Sequence, residues 1–253
     1  MPLLDLTPIQ NIVHYSFMLS FVGMTAAAIF FLAQRSFVIR EYQVAITLSG
    51  IILLIAAMNY YYMKELYLSG IANGVMAFPT EFRYIDWLLT VPLMLIKFPV
   101  LLGLGPKGRH FLVILVTLAL LMIITGFVGE INPNQALVHY GAFGVGCVAW
   151  LLIVGLLFFA ISDLPPQVDP VTAKAIKRMS LFVLVGWSIY PVGYLAPMFG
   201  WQPDIRELIY NVGDLINKVG LAMFVYAAAT GKAEWLEKQL EEQVEEVEYA
   251  TNA

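Results

Sequence analysis

The chain has 253 residues, of which 60% are hydrophobic and only 13% charged; 14 Lys and Arg stand against 18 Asp and Glu for a net charge of −4, and the mean hydropathy is +0.78. Soluble domains carry roughly 25% charged residues, so a water-soluble fold is excluded, and without a basic surplus so is a nucleic-acid partner. The single cysteine, Cys147, excludes an intrachain disulfide framework and a cysteine metal centre; inside an apolar run it reads as an inert thiol.

In chain order, the opening MPLLDLTPIQ has no basic run and does not read as an ordinary signal peptide. Seven apolar stretches follow, at 11–34, 43–65, 81–101, 109–130, 135–161, 174–199 and 205–230. Each supplies the about 20 apolar residues that a helix needs to cross a bilayer. The connections are short, with two notable cases. After the second span, YLSGIANGVMAFPT has glycines and alternating apolar positions, which predict a small β-hairpin over the outer face. After the fifth, SDLPPQVDPVT is Pro-rich and non-helical up to Asp169 or Thr172, with Pro170 suited to the first turn of the sixth helix. The tail from Lys232 to Glu248 holds seven Glu and apolar residues at Trp235, Leu236, Leu240, Val244 and Val247, a helical spacing that reads as a solvated extension or, alternatively, a partner-binding helix.

Charge placement sets the orientation. Arg35, Arg40, Lys107, Arg109, Lys174, Lys177, Arg178, Lys232 and Lys238 lie in alternate connections and the tail, whereas Lys64 and Arg206 flank the opposite ends. By the positive-inside rule the richer side is cytoplasmic. The N-terminus is then outside and the C-terminus inside, which requires an odd number of spans. The expectation is an all-α seven-transmembrane-helix bundle over residues 1–230, with an acidic cytoplasmic tail over 231–253, inserted as a multi-pass protein in a lipid bilayer.

Five ionisable residues lie deep in the spans: Arg83, Asp86, Lys97, Asp214 and Lys218. Each costs roughly 2.5–3.5 kcal/mol near a helix centre, so they must face inward and pair, and such residues mark function. Asp214 and Lys218 are four apart and share a face. Lys97 returns within about 20° of Asp86, roughly 16 Å along the third helix at 1.5 Å per residue. From position alone Lys97 either faces this line of groups or snorkels to the cytoplasmic headgroups.

The third span reads RYIDWLLTVPLM, the fourth LMIITGFVGE, the sixth GWSIYPVGYLAP and the seventh YNVGDLINKVG. With these motifs in this order, the chain resembles the microbial (type 1) rhodopsins, and within them the bacterial proteorhodopsin-like proton pumps, across about 11–230. The resemblance implies that Lys218 binds all-trans retinal as a Schiff base, that Asp86 is counter-ion and proton acceptor, that Asp214 is a second counter-ion and that Arg83 organises the outer side. It places Thr90 beside Asp86, sandwiches the polyene between Trp87 and Trp187, and lines the pocket with Tyr60, Met122, Gly126, Tyr190, Pro191 and Tyr194. Met94 falls where proteorhodopsins tune colour. A protonated Schiff base in a dry pocket needs nearby carboxylates, and Asp86 and Asp214 supply them.

The chain departs from the family pattern at three positions. Lys97 stands where the pumps have a carboxylate proton donor, as in a lysine-donor subgroup; desolvation can make a lysine a donor. Asn59 stands where proteorhodopsins pair a histidine with the acceptor, and it hydrogen-bonds without carrying charge. Tyr140 replaces a pocket tryptophan. His14 and His139 read as structural. Gly141 and Gly144 suggest room for an antenna carotenoid and Phe143 suggests its filling, so both alternatives stand.

The Asp86, Thr90, Lys97 triad differs from that of chloride pumps, which lack the acceptor carboxylate, and from the Asn, Asp, Gln set of sodium pumps. Retention of Asp214 separates it from inward proton pumps. The resemblance thus implies a light-driven outward proton pump of a bacterial inner membrane, with protons as cargo and, by analogy, a homo-oligomeric state (pentamer or trimer). The alternative is a sensory photoreceptor that signals through a partner, with the acidic tail as its docking element. An enzyme is not expected: no nucleophile–base constellation and no metal-ligand cluster is present.

Overall fold

A computed structural model describes residues 5–75, 78–162, 164 and 168–252. Its helices are α1 (Pro8–Gln34), α2 (Arg40–Ala72), α3 (Arg83–Leu102), α4 (Gly105–Glu130), α5 (Ala136–Ser162), α6 (Pro170–Trp187), α7 (Ile189–Leu195) and α8 (Pro203–Asn252). Seven helical segments among the described residues are long and apolar enough to cross a membrane, α6 and α7 with a following 3-10 turn forming one of them.

Local chemistry sets the helix ends. Thr7 and Gln10 form a reciprocal capping box at the start of α1. Asp169 caps α6 by accepting from the Thr172 backbone N–H at 2.9 Å, with Pro170 in the first turn as expected. The break between α6 and α7 has one cause: Pro191 has no N–H to return to the carbonyl of Trp187, so the helix parts at Trp187–Ile189. That break lies at a residue proposed above to touch the cofactor.

Neighbours along the chain pack side by side. α8 closes the bundle against α1, α2 and α6. The polarity is inverted relative to a soluble protein. Leu19, Ile29, Met58, Leu89 and Leu152 face outward, while Ser49, Arg83, Asp86, Thr90, Lys97, Glu207, Asn211, Asp214 and Lys218 are buried. Only a hydrocarbon surround makes that arrangement favourable. At the end of the bundle that carries the tail, Lys232 bonds both Glu41 of α2 and Asp169 at the head of α6, tying three helices together.

The expected β-hairpin is corrected here. Tyr67–Ala72 extend α2 instead, and no strand occurs among the described residues; Met76 and Ala77 lie outside them. The helix persists because Tyr67 has tertiary partners that a hairpin would forgo: its ring packs on Phe17 and Phe78, and its hydroxyl donates to Asp204 at 2.8 Å. The glycines serve the helix end, where Gly74 takes φ +72 and the Val75 N–H returns to the Gly70 carbonyl.

Candidate functional site

Lys218 sits in the buried middle of α8. Its Nζ lies 2.7 Å from Asp86 Oδ2 on α3 and 3.0 Å from Asp214 Oδ1 one turn earlier on α8. The two carboxylates are held very differently. Asp214 accepts from Tyr190 Oη at 2.6 Å, Tyr60 Oη at 2.9 Å and Trp87 Nε1 at 3.1 Å. Asp86 Oδ1 is buried with no hydrogen-bond partner among the described protein groups. Thr90 lies beside Asp86, but its hydroxyl donates to the Asp86 backbone carbonyl at 2.9 Å. Donors that stabilise a charged carboxylate keep it charged. Asp214 is thus the more fully hydrogen-bonded of the two, and Asp86 keeps one oxygen unpaired among the described protein groups.

Arg83 does not touch Asp86. Its Nη1 donates to Tyr60 Oη at 3.1 Å, its Nε and Nη2 to Glu207 Oε2 at 3.0 and 2.7 Å, and Nη2 also to Asn211 Oδ1 at 2.6 Å. Glu207 further accepts from Thr80 Oγ1 at 2.7 Å and from Arg206 Nε at 3.3 Å, and Arg206 pairs with Glu130 at 3.0 Å. A continuous bonded path thus runs from Lys218 through Asp214, Tyr60 and Arg83 to Glu207. Sequence reasoning missed Glu207, Asn211 and Thr80. A charge near the start of a span, beside Arg206 at its flank, reads as interfacial. The signal was the spacing of 207, 211, 214 and 218, which puts all four on one face of α8.

Removing the Glu207 charge would leave Arg83 buried without its carboxylate. Breaking a buried pair costs about 3–5 kcal/mol. Glu207→Gln is expected to lose that amount in unfolding measurements on the detergent-solubilised protein. A loss below about 1 kcal/mol, the value of an exposed pair, would mean that water reaches the cluster.

Lys97 is 1% exposed and donates to Ser49 Oγ on α2 at 3.0 Å. Of the two alternatives for this side chain, snorkelling does not describe its geometry. It forms no bond with the Lys218 cluster among the described residues. Asn59 does not join the site: its amide reaches only the Phe82 carbonyl and the Met63 sulfur, at 3.5 and 3.7 Å.

From Lys218 an apolar cavity runs toward α5. Trp87, Met94, Met122, Gly126, Trp187, Tyr190, Pro191 and Tyr194 line it as expected, joined by Tyr84, Phe143, Cys147 and Trp150. Tyr60 is not on the wall but beneath it, bonded to Asp214. Tyr140 is corrected: it is 42% exposed and outside the lining. The wall is instead Phe143, stacked on Tyr194 at 4.6 Å, which fills the space one turn short of Tyr140.

The cavity fits retinal on its own chemistry. Among the described lining residues Lys218 is the only lysine on an otherwise apolar wall, and carboxylates flank that amine. Gly126 lets the Tyr84 ring of α3 pack closely on α4 at the cavity wall, where a Cβ would stand 3.0 Å from that ring.

Residues 11–232 match the family model described as bacteriorhodopsin-like protein. The chain belongs to that family, the microbial rhodopsins. It is 33% identical over 231 residues to the blue-light absorbing proteorhodopsin of Gamma-proteobacterium Hot 75m4, covering 87% of each chain. Among solved structures it resembles Exiguobacterium sibiricum rhodopsin (38% identity, TM-score 0.75, 87% of this chain and 97% of that one). It also resembles xanthorhodopsin, described as a light-driven ion pump with dual chromophore (27% identity, TM-score 0.81, 92% and 98%). The matched span holds Tyr60, Arg83, Asp86, Asp214 and Lys218 and stops short of most of the tail.

Proposed function

We propose that this microbial rhodopsin is a light-driven outward proton pump, with all-trans retinal held on Lys218, the N-terminus outside and the C-terminus in the cytoplasm of a bacterial inner membrane. The supporting observation is the asymmetry between the two carboxylates at Lys218. One accepts from three side-chain donors, and the other has an oxygen with no partner among the described protein groups. On this reading 1–230 form the retinal-binding unit and 231–253 a cytoplasmic extension.

Bound retinal supplies light absorption and a change of shape at the Lys218 nitrogen. The protein's residues do the rest. Asp86 takes the proton from that nitrogen on its open oxygen, while Asp214, fixed by Tyr60, Tyr190 and Trp87, keeps the site's negative charge. Neutralising Asp86 lets the charges redistribute through Tyr60 to Arg83, whose guanidinium is shared between Tyr60 and Glu207 on the outer side. Trp87 and Trp187 exclude water from the nitrogen between transfers. Lys97 returns a proton from the cytoplasmic side; Ser49 holds its amine within the bundle and away from the headgroups.

The test is direct. Cells expressing the protein in unbuffered medium should acidify it under illumination, and a protonophore should abolish the change. No pH change together with a cycle lasting seconds would favour the sensory alternative. Lys97→Ala should slow recovery of the starting absorption by about 10²-fold, the smaller end of what a positioned proton-transfer group contributes, with the deficit largest at alkaline pH, where free protons are scarce. Unchanged recovery at neutral and alkaline pH would remove Lys97 from the pathway.

A further inference from the structure

Past the bundle, α8 continues without interruption to Asn252, and its residues from Leu236 to Thr251 are exposed. Leu236, Leu240, Val244 and Val247 are 39%, 63%, 58% and 65% exposed. At 100° per residue these four fall within an arc of about 80°. All seven Glu lie outside that arc, and Glu234, Glu241, Glu242, Glu245 and Glu246 occupy the far half of the helix. This is a continuous exposed apolar stripe on a segment beyond the apolar span.

The charges decide what covers the stripe. An acidic helix is repelled by an anionic membrane surface. A basic partner helix would be met by carboxylates flanking the stripe on both sides, whereas most of these point away from it. A second copy of this chain fits. Copies inserted in one membrane point the same way, so their tails are parallel. In a parallel pair, Leu240 and Val247 with Ala233 take one set of core positions, and Leu236 with Gln243 and Ala250 the other. The flanking cross-pairs are then Gln239 with Val244 and Glu246 with Thr251, so no carboxylate faces a carboxylate. The base of the tail is already fixed, because Lys232 is bonded to Glu41 and Asp169. A seam this short is marginal in free peptides, but anchoring in one bilayer raises the local concentration of tails.

We propose that the cytoplasmic extension of α8 is a self-association seam, through which two copies pair in parallel by Leu236, Leu240 and Val247, with Val244 at its edge.

Single cysteines placed in the full-length, retinal-loaded protein test this, in vesicles of phosphatidylcholine and phosphatidylglycerol under mild oxidation, with the parent chain reporting the background from Cys147. Cross-linked dimers should form several-fold more from Leu236→Cys, Leu240→Cys and Val247→Cys than from Glu241→Cys and Glu245→Cys. Adding Leu240→Glu to Leu236→Cys should suppress its dimer while leaving the visible band unchanged. Equal cross-linking from both faces, or none from either, would overturn the seam. So would stripe cysteines shielded from a water-soluble maleimide without cross-linking, the result expected of a stripe lying on lipid.

Discussion

Lys218→Ala is expected to give a folded protein that develops no visible band on addition of all-trans retinal and drives no light-dependent acidification. Among the described lining residues Lys218 carries the only amine that can condense with an aldehyde. The variant also leaves Asp86 and Asp214 buried without the cation between them. Breaking such an arrangement costs about 3–5 kcal/mol, so loss of colour in Lys218→Ala alone could reflect misfolding. Lys218→Ala with Asp86→Asn separates the two effects. Neutralising the carboxylate that has no other donor should recover much of the lost stability while the band stays absent. A visible band in either variant would place retinal elsewhere.

How far the sequence was legible follows from which contacts are local. The spans could be read because hydrocarbon demands long apolar runs, and the Asp214–Lys218 pair because four residues on one helix leave little freedom. The contact between Lys218 and Asp86 joins α8 to α3, and spacing within either helix says nothing of it; the family motifs carried that inference. Position in a motif gives the face of a helix but not the reach of a side chain. Asn59 and Tyr140 show the difference: each stands at a position matched to a site residue, yet Asn59 bonds the backbone of Phe82 and Tyr140 looks outward behind Phe143. Glu207 was illegible for the opposite reason. Its place near the start of α8 suggests water, and the convergence of Thr80, Arg83 and Arg206 buries it. At 67–80 the glycines and alternation are equally compatible with a helix end, and the tertiary contacts of Tyr67 decide in favour of the helix.

The same reasoning gives Asp86→Asn the most informative phenotype in the site. Asparagine keeps the shape and one oxygen facing Lys218, and Asp214 with its three side-chain donors still supplies an anion. Retinal should therefore bind and the protein should remain coloured. What disappears is the carboxylate oxygen beside Lys218 that has no partner among the described protein groups. A positioned proton-transfer group contributes about 10²–10⁴-fold, so light-driven acidification should fall by at least about 10²-fold by the same measure. The colour should change with it: in the parent protein one carboxylate-type transition is expected on titration, and Asp86→Asn should abolish it. Neither His14 nor His139 bonds Asp86; His139 is engaged with the Gly129 carbonyl and Tyr194. An imidazole-type second step would thus contradict a histidine-free acceptor. Asp86→Glu should retain measurable pumping. Persistence of full pumping in Asp86→Asn would transfer the acceptor role to Asp214, and the asymmetry in hydrogen bonding would then have to serve anion placement alone.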